Sequence, residues 1–331
     1  MSRENATDAL RQATGSSITF EQVPASKSTL KDFRDGESRG CKLAMVNAMT
    51  VDVEDYYQVS AFDPYIAKDD WASYPSRVQA NVDRILELFA SRSVTGTFFI
   101  LGHVAQEHPD MVRRIASMGH EIASHGWKHY RVTSQTQKQF SEDVRKTKAV
   151  LEDISSQEVK GYRAASYSVS ENTLWAHEEL ALTGHCYSSS IVPVKHDHYG
   201  IPNAPRFPFH VNPSGLLEIP VSTVQLNEKN YPCGGGGWFR LYPYSLSKMA
   251  LDSIIEKENR SCVFYFHPWE IDPKQPRTKG LDLKTRFRHY VNLHRMERKL
   301  ESLLDDFRWG RMDDIYLGSN ADCTKNFLVN M

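Results

Sequence analysis

Cysteine is scarce in this sequence, and its few copies lie far apart. Cys41, Cys186, Cys233, Cys262 and Cys323 are the five cysteines among 331 residues. None of them has the close spacing of a zinc knuckle, and an odd count in so long a chain argues against a disulfide framework. We therefore predict scattered reduced thiols, as in a protein of the cytosol.

Neither sign of charge predominates, and long apolar runs are missing. Lysine plus arginine number 40 and aspartate plus glutamate number 41, whereas a protein that binds nucleic acid usually shows a basic excess. No uncharged apolar stretch is long enough to span a bilayer, and the N-terminus contains no signal-peptide core. We therefore predict a cytoplasmic protein with no transmembrane segment and no nucleic-acid partner, and the sequence leaves its oligomeric state open.

The residues that are present suit a folded domain. Hydrophobic residues make up 40% of the chain and aromatic residues 11%, which is enough to bury a sizeable core. Apolar residues are sparse and without periodicity over residues 1–42, so we predict a loosely ordered extension there. Residues 43–320 are expected to form a single catalytic domain.

Strand patterns and helix patterns alternate along this domain. Predicted strands cover residues 43–51, 95–101, 121–124, 161–166 and 262–266. Predicted helices cover residues 78–89, 109–115, 134–154, 172–182, 245–259 and 284–307, and Ser134 is a candidate cap of the third helix. Repeated strand–helix units predict an α/β fold with a mostly parallel sheet, either open or closed into a barrel.

Unusual polar residues stand at the carboxyl ends of four predicted strands. They are Asp52, His125, Arg163 and His267. In barrels of this class the functional groups come from the carboxyl ends of the strands. We therefore expect these four side chains to meet in one site.

A histidine pair and a run of acids suggest a metal site. His125 and His129 are spaced so that both imidazoles can face one metal ion, and a carboxylate would complete a catalytic zinc arrangement with a position left for water. Asp52 and Glu54 share one face of their strand, so one is expected to bind the metal while the other acts as a base. The alternative for these acids and Asp55 is a solvated loop or a helix cap.

Two further strand ends add a cation and a second acid–base group. Arg163 would hold a catalytic carboxylate in place and ionised, with a surface ion pair as the alternative. His267 would protonate a leaving nitrogen as a general acid, with a hydrogen-bonded core histidine as the alternative. The two residues therefore have the chemistry to complete an amide-hydrolysing site.

Aromatic residues flank or follow a run of four glycines at positions 234–237. They are Trp238, Phe239, Tyr242 and Tyr244. Aromatic faces stack on sugar rings, so a loop of this kind suits a carbohydrate cleft. Ordinary packing of the loop against the core is the alternative.

Taken in order, six segments resemble the NodB-type polysaccharide deacetylases, which form carbohydrate esterase family 4. The similar segments are Thr50–Asp55, Thr97–Gly102, Gly119–His129, Gly161–Ser168, Tyr187–Ser190 and Phe264–Pro268. Within that family, Asp52–Tyr57 and Trp238–Arg240 resemble a branch associated with bacterial exopolysaccharide gene clusters. The resemblance covers about residues 44 to 272 and so most of the predicted domain.

The resemblance implies a distorted (β/α) barrel of seven strands and a divalent metal, often zinc, with cobalt or nickel as alternatives. The catalytic roles it implies are a base at Asp52, an orienting cation at Arg163, a general acid at His267 and an oxyanion-binding backbone N–H near Tyr167. The ligands it implies are His125, His129 and one acid, and the residues expected to contact saccharide are Trp238, Phe239, Arg240 and Trp269.

The sequence departs from the family pattern at three positions. Val53 separates two acids that are adjacent in the family, so the third metal ligand is either Glu54 or Asp55, and the strand geometry favours Glu54. Ala165 stands where proline is common, and Ser188 stands where aspartate is common. None of these changes removes a group that would touch the metal or the substrate.

The predicted function is metal-dependent removal of acetyl groups from N-acetylhexosamine units of a poly- or oligosaccharide. Two alternatives accompany this prediction. One is an enzyme that hydrolyses another amide, such as a cyclic ureide. The other is a carbohydrate-binding relative that has the fold without the activity.

Overall fold

A mixed β-sheet forms the centre of the fold. We describe it from a computed structural model, which covers residues 18–23, 45–195 and 200–318. The strands are β1 (Thr19–Gln22), β2 (Val46–Val53), β3 (Thr97–Ile100), β4 (Glu121–Ser124), β5 (Gly161–Tyr162), β6 (Tyr187–Ser188), β7 (Phe209–Asn212), β8 (Leu216–Glu218), β9 (Thr223–Leu226), β10 (Lys229–Pro232), β11 (Val263–Phe266) and β12 (Arg308–Gly310).

Within these ranges ten strands belong to one sheet, and β9 and β10 form a separate antiparallel hairpin. The order is β1-β7-β8-β6-β5-β4-β3-β2-β11, and β12 also pairs with β2. The seven consecutive strands from β8 to β11 run parallel, whereas β1 and β7 are antiparallel to their neighbours. The predicted α/β class with a mostly parallel sheet is confirmed.

Ten α-helices within the described residues connect the strands and extend the chain beyond them. They are α1 (Val78–Ala90), α2 (Gly102–Glu107), α3 (Pro109–Ser117), α4 (Gln137–Ser155), α5 (Ala176–Leu182), α6 (Gly236–Leu241), α7 (Tyr244–Asp252), α8 (Leu283–Tyr290), α9 (Leu293–Asp306) and α10 (Met312–Tyr316). No helix in the described part of the chain is long and apolar enough to cross a membrane.

Helical periodicity explains how the helices pack. In α1 the residues Val82, Ile85 and Phe89 recur on one face and are buried, and the Phe89 ring meets the Phe98 ring of β3 edge to face. Helix α4 begins after Thr136, whose side chain forms a capping box with Gln139. The prediction that Ser134 caps this helix was wrong, because the chain first makes a short 3₁₀ turn at Val132–Ser134.

The predicted N-terminal extension, residues 1–42, differs from expectation where it is described. Strand β1 pairs with β7, so that Phe20 lies opposite Val211 and its ring contacts Phe209 at 4.9 Å. One aromatic residue in a polar segment gives little periodicity, yet it suffices to dock a short edge strand. The rest of that range, and residues 319 and 320 of the predicted domain, lie outside the described residues.

The cysteine prediction holds for two residues and fails for a third. Cys233 and Cys262 are buried free thiols, but Cys186 is disulfide-bonded. Wide spacing along the sequence does not prevent pairing, because a disulfide requires closeness in space alone. The prediction of reduced cysteines is therefore wrong at Cys186.

Candidate active site

Four parallel strands deliver the site residues to one edge of the sheet. Asp52 lies near the end of β2, and His125, Arg163 and His267 directly follow β4, β5 and β11. Because these strands run in the same direction, their carboxyl ends share one edge. The structure thus brings together the four strand-end residues that the sequence singled out.

Glu54, His125 and His129 form a buried group with metal-ligand geometry. One nitrogen or oxygen atom of each lies within 4.8 Å of the corresponding atoms of the other two. Glu54 Oε2 is 3.0 Å from His129 Nε2. His125 Nδ1 is 2.8 Å from the carbonyl oxygen of Arg163, which can only accept. Nδ1 therefore carries the proton, and Nε2 presents a lone pair when the ring is neutral.

The electrostatics of this group suit a cation. Burial lowers the pKa of His125 to about 4 and that of His129 well below its usual value, so both rings are neutral at pH 7. Burial raises the pKa of Glu54 to about 7, and Glu54 Oε2 is a buried oxygen that accepts no hydrogen bond from the described residues, although His129 Nε2 lies 3.0 Å away. A divalent ion would satisfy this oxygen, and two neutral imidazoles with one carboxylate fit such an ion.

Asp55 lies elsewhere, which corrects its assignment as a possible ligand. Its Oδ2 accepts hydrogen bonds from the backbone N–H groups of Arg77 (2.7 Å) and Val78 (3.0 Å) and from the Ser76 hydroxyl (2.8 Å). These donors stand at the N-terminus of α1, where a negative charge is stabilised. The chain turns directly after Glu54, so Asp55 caps a helix instead of facing the metal group.

Arg163 is fully buried and holds Asp52. Its Nη1 donates to Asp52 Oδ1 at 2.6 Å and to the Thr50 hydroxyl at 2.7 Å. The guanidinium also donates to the backbone oxygen (3.2 Å) and the hydroxyl (3.0 Å) of Ser189, and Nη2 contacts the Met312 sulfur at 4.0 Å. Asp52 is therefore fixed by a charge that is itself anchored on several sides.

A second buried carboxylate supports the turn that holds Arg163. Glu218 Oε1 accepts from the backbone N–H groups of Ser190 and Ile191, both at 2.7 Å. Glu218 Oε2 is 2.9 Å from His177 Nε2. The Ser190 hydroxyl accepts in turn from the N–H of Ala164, at 2.9 Å. The sequence did not indicate Glu218, because the residues around it give no sign of a contact with Ser190, which is 28 residues away.

His267 lies between two glutamates. Its Nδ1 is 2.8 Å from Glu270 Oε1, and its Nε2 is 3.5 Å from Glu54 Oε1. Burial alone would lower the pKa of His267, but the negative charges of Glu54 and then Glu270 raise it by more. The net pKa is about 9. The imidazole is therefore protonated at neutral pH in this environment and able to donate a proton.

Glu270 was missed from the sequence, although its signal is present. It follows His267 by three residues with Pro268 at the first turn, which is the spacing of a capping box. Its second oxygen accepts from Arg240 Nε at 2.6 Å. Gly236 lies against the Glu270 carboxylate so closely that a Cβ atom there would collide with it. A glycine at that position of α6 is therefore required for the approach.

The glycine-run aromatics do not line the cleft, which corrects three predicted saccharide contacts. Phe239 is buried in the core beside Phe264, with ring centroids 5.0 Å apart. Arg240 is buried against Glu270 and donates to backbone oxygens at the end of α8. Trp238 is half-buried and stacks on Tyr242 at 5.6 Å. These residues form a helix that packs behind His267, so the alternative of ordinary packing was right.

The backbone N–H of Tyr167 itself makes a hydrogen bond within the protein. It donates to the Ala164 carbonyl oxygen at 3.0 Å within a tight turn. Ser166 and Tyr167 both have positive φ in this turn. The Tyr167 side chain lines the cleft, and an oxyanion-binding N–H near Tyr167 stays a prediction.

The site opens into a cleft of about 690 Å³. Trp269, predicted to touch saccharide, lines the cleft and lies between the rings of His267 (5.3 Å) and His289 (4.2 Å). The sequence did not single out His289 or three cations that line the same cleft: Lys68, Arg131 and Arg288. The cleft has the size and the mixed aromatic and polar walls of a site for a small organic ligand.

Two family models match successive parts of the chain. A model described as Polysaccharide deacetylase matches residues 65–185, and one described as Domain of unknown function (DUF3473) matches residues 189–317. Residues 65–185 are therefore similar to polysaccharide deacetylases, as the resemblance of the sequence motifs predicted. Asp52 and Glu54 precede both matches, and His267 lies in the second.

Curated relatives share shorter segments. The chain is 31% identical over 97 residues to a peptidoglycan-N-acetylglucosamine deacetylase of Bacillus cereus, covering 29% of this chain and 35% of that protein. It is 34% identical over 68 residues to a chitooligosaccharide deacetylase of Rhizobium leguminosarum bv. trifolii, covering 20% of this chain and 32% of that protein. The chain therefore matches about a third of the length of these relatives.

A solved structure supports the fold over a longer range. A crystal structure from Mycobacterium smegmatis, of a protein assigned to the polysaccharide deacetylases, superimposes with a TM-score of 0.54 at 19% identity. The match covers 84% of this chain and 91% of that chain. The predicted NodB-type α/β fold with a barrel-like sheet is confirmed, and ten sheet strands are described where the resemblance implied seven.

Proposed function

We propose that this protein hydrolyses the N-acetyl group of N-acetylhexosamine units in a poly- or oligosaccharide and releases acetate. One observation carries the proposal: the Glu54, His125 and His129 group, the Asp52–Arg163 pair and His267 open into a single cleft. The names of the curated relatives, which specify peptidoglycan and chitooligosaccharide, support this class of substrate.

Glu54, His125 and His129 would hold a divalent ion, which we propose to be zinc, with cobalt or nickel as alternatives. When bound, such an ion supplies Lewis-acid polarisation of the amide carbonyl and lowers the pKa of a water molecule. The neutral state of both buried histidines prepares them for this role, since a protonated imidazole cannot be a ligand.

Asp52 accepts and His267 donates the protons that the reaction transfers. Arg163 occupies Oδ1 of Asp52, and we assign Oδ2 to accept a proton as water attacks the amide carbonyl. His267, held by Glu270 through Nδ1, donates its Nε2 proton to the nitrogen as the carbon–nitrogen bond breaks. The products are acetate and a free amine on the sugar.

Two finer assignments belong to the same proposal. The resemblance of Asp52–Tyr57 to the exopolysaccharide-associated branch supports a substrate from exopolysaccharide biosynthesis, and a cytoplasmic location stays a prediction. Deletion of the gene should raise the acetyl content of the exopolysaccharide, and fractionation of cells should find the protein in the cytoplasmic fraction. An unchanged acetyl content would contradict the first assignment.

Acetate release from chitin-type oligosaccharides tests the activity itself. Metal-stripped protein is supplied with zinc, cobalt or nickel, and Asp52→Asn serves as the matched variant because it keeps the shape of the side chain. We expect metal-dependent release that the variant loses by a factor of about 10² to 10⁴, the usual contribution of a general base. Stoichiometric metal binding without any release would contradict the proposal and direct the search to other amides.

A further inference from the structure

Three cations from three separate segments line the cleft beside the acid–base groups. Lys68 lies in a 3₁₀ helix, Arg131 follows the ligand His129 by two residues, and Arg288 belongs to α8. The carboxylates that line the same described cleft are Asp52, Glu54 and Asp63. Asp52 pairs with Arg163, and Glu54 belongs to the metal group.

Lys68 is held close to the metal ligands. Its Nζ donates to the backbone oxygen of His129 at 3.2 Å and lies 3.5 Å from Asp63. It also stands over the rings of Trp71 (4.8 Å) and Tyr130 (5.3 Å). These contacts fix the ammonium group on the wall of the cleft, although its pairing with the exposed Asp63 is long.

The positive charges of Arg131 and Arg288 are not balanced by a carboxylate in the described part of the chain. Among the described residues no carboxylate forms an ion pair with either side chain. Arg131 Nε is a buried nitrogen without a hydrogen-bond acceptor in the same part of the chain, and such an atom is costly unless a ligand satisfies it. Arg288 is exposed, but its backbone oxygen accepts from the buried Arg240, which ties this turn of α8 to the base of the site.

We propose that the cleft binds an anionic saccharide, in which a sugar next to the N-acetylhexosamine carries a carboxylate or a phosphoryl group. This inference rests on the proposed function and adds the charge of the substrate to it. A neutral chitin-type chain would leave Arg131 and Arg288 without counter-charge, whereas an anion accepts charge-assisted hydrogen bonds from both. Lys68 would add a third cation near the reacting sugar.

Binding measurements compare a charged and an uncharged probe of the same sugar skeleton. Metal-loaded Asp52→Asn protein, which should not turn over substrate, is titrated by calorimetry with a hyaluronan tetrasaccharide and with its carboxyl methyl ester. N-acetylglucosamine 1-phosphate and the methyl glycoside of N-acetylglucosamine form a second pair, in which the phosphoryl group stands at the anomeric position, where the next sugar would be attached. We expect the charged member of at least one pair to bind about tenfold more tightly at low salt, and the preference to shrink as salt screens it.

Substitutions inside and outside the cleft test whether its cations cause the preference for the charged probe. Arg288→Gln should reduce the preference for the charged probe about threefold, the size expected of an exposed ion pair, and leave the neutral probe unchanged. Arg286→Gln is the matched control, because Arg286 is exposed on α8 and does not line this cleft. Arg131→Gln should have a larger effect in the same direction.

The outcomes separate this inference from the proposed function. Equal dissociation constants within both pairs would overturn the anionic substrate, even if wild-type protein releases acetate from chitin-type oligosaccharides. Preference for the charged probe supports the anionic cleft, even if acetate release fails and the proposed reaction is wrong. Preference confined to the carboxylate pair or to the phosphoryl pair identifies the source of the charge.

Discussion

Two regions of the chain contribute to the site in different ways. The region from β2 through residue 185 supplies the candidate metal ligands and Asp52 at the ends of neighbouring strands. The region from residue 189 onward supplies His267 and buried groups that hold the candidate catalytic side chains, namely Ser189, Glu218 and Glu270. The comparison shows that the two regions share one sheet, because β8 and β11 of the second region pair with strands outside the segment that matches the domain of unknown function.

The largest expected effect lies in the first region. His125→Ala should abolish stoichiometric metal binding and acetate release, because one of three ligands is lost. Asp55→Asn should keep the metal and lose about 0.3–1 kcal/mol of stability, the usual value of a negative charge at a helix N-terminus. Metal analysis and thermal unfolding of both variants check this, and loss of metal from Asp55→Asn would reverse the assignment of Glu54.

In the second region, Glu270→Gln should lower kcat about 10²-fold while metal binding stays intact. The substitution removes the negative charge that holds the His267 imidazolium for proton donation. Glu297→Gln is a suitable control, because Glu297 is a half-buried partner of Arg84 and does not line the cleft. A normal kcat for folded Glu270→Gln protein would mean that His267 does not need the charge of Glu270 to donate its proton.

A smaller effect is expected at Glu218, which touches no reacting group. Glu218→Gln should lower kcat about tenfold at unchanged KM, since the 189–191 turn would hold Arg163 less firmly. It should also reduce the free energy of unfolding by about 1–3 kcal/mol, the cost of an unsatisfied buried group. Steady-state kinetics measure the fall in kcat, and denaturant unfolding measures the fall in stability separately. Glu258→Gln, at a partly exposed residue, is the control. A change in KM alone would refute the positioning role.

The smallest effect on activity is expected at Glu121, which joins the two regions below the site. Its carboxylate accepts from Tyr187 (2.8 Å), Thr97 (2.6 Å) and the N–H of Asp313 (3.1 Å). Burial, with a smaller contribution from Asp313, raises its pKa to about 8. Between pH 5 and 8 the folded state therefore binds more protons here than the unfolded state, and the free energy of unfolding should fall as pH rises.

Glu121→Gln should flatten this part of the pH dependence and leave kcat unchanged. Its stability at pH 6 should lie within about 1 kcal/mol of the wild type, because a neutral group replaces a neutral group. Denaturant unfolding at several pH values provides the measurement. An identical slope in both proteins would show that Glu121 does not titrate in this range.

The sequence predicted the parts of the site that follow from local rules. Strand ends of a parallel sheet meet at one edge, so the pattern of strands and polar residues suffices to group Asp52, His125, Arg163 and His267. The role of Asp55 could not be chosen, since three acids after a strand look alike until the turn of the chain is known.

Tertiary contacts decided what the sequence missed. The segment Trp238–Arg240 was misplaced because the direction of α6 depends on the approach of Gly236 to Glu270, which are distant from each other along the chain. The anchoring of Arg163 by Ser189 and of Ser190 by Glu218 likewise joins distant positions. Periodicity carries no information about such pairs.

The contact between Met312 and Arg163 has a consequence for protein synthesis. Domains are made from the N-terminus at about 5–20 residues per second, and Met312 belongs to α10, the last helix within the described residues. The candidate metal ligands leave the ribosome long before that helix does. A nascent chain therefore completes the surroundings of Arg163 only after α10 has been made, and a chain terminated before α10 should hold the Arg163 guanidinium less firmly.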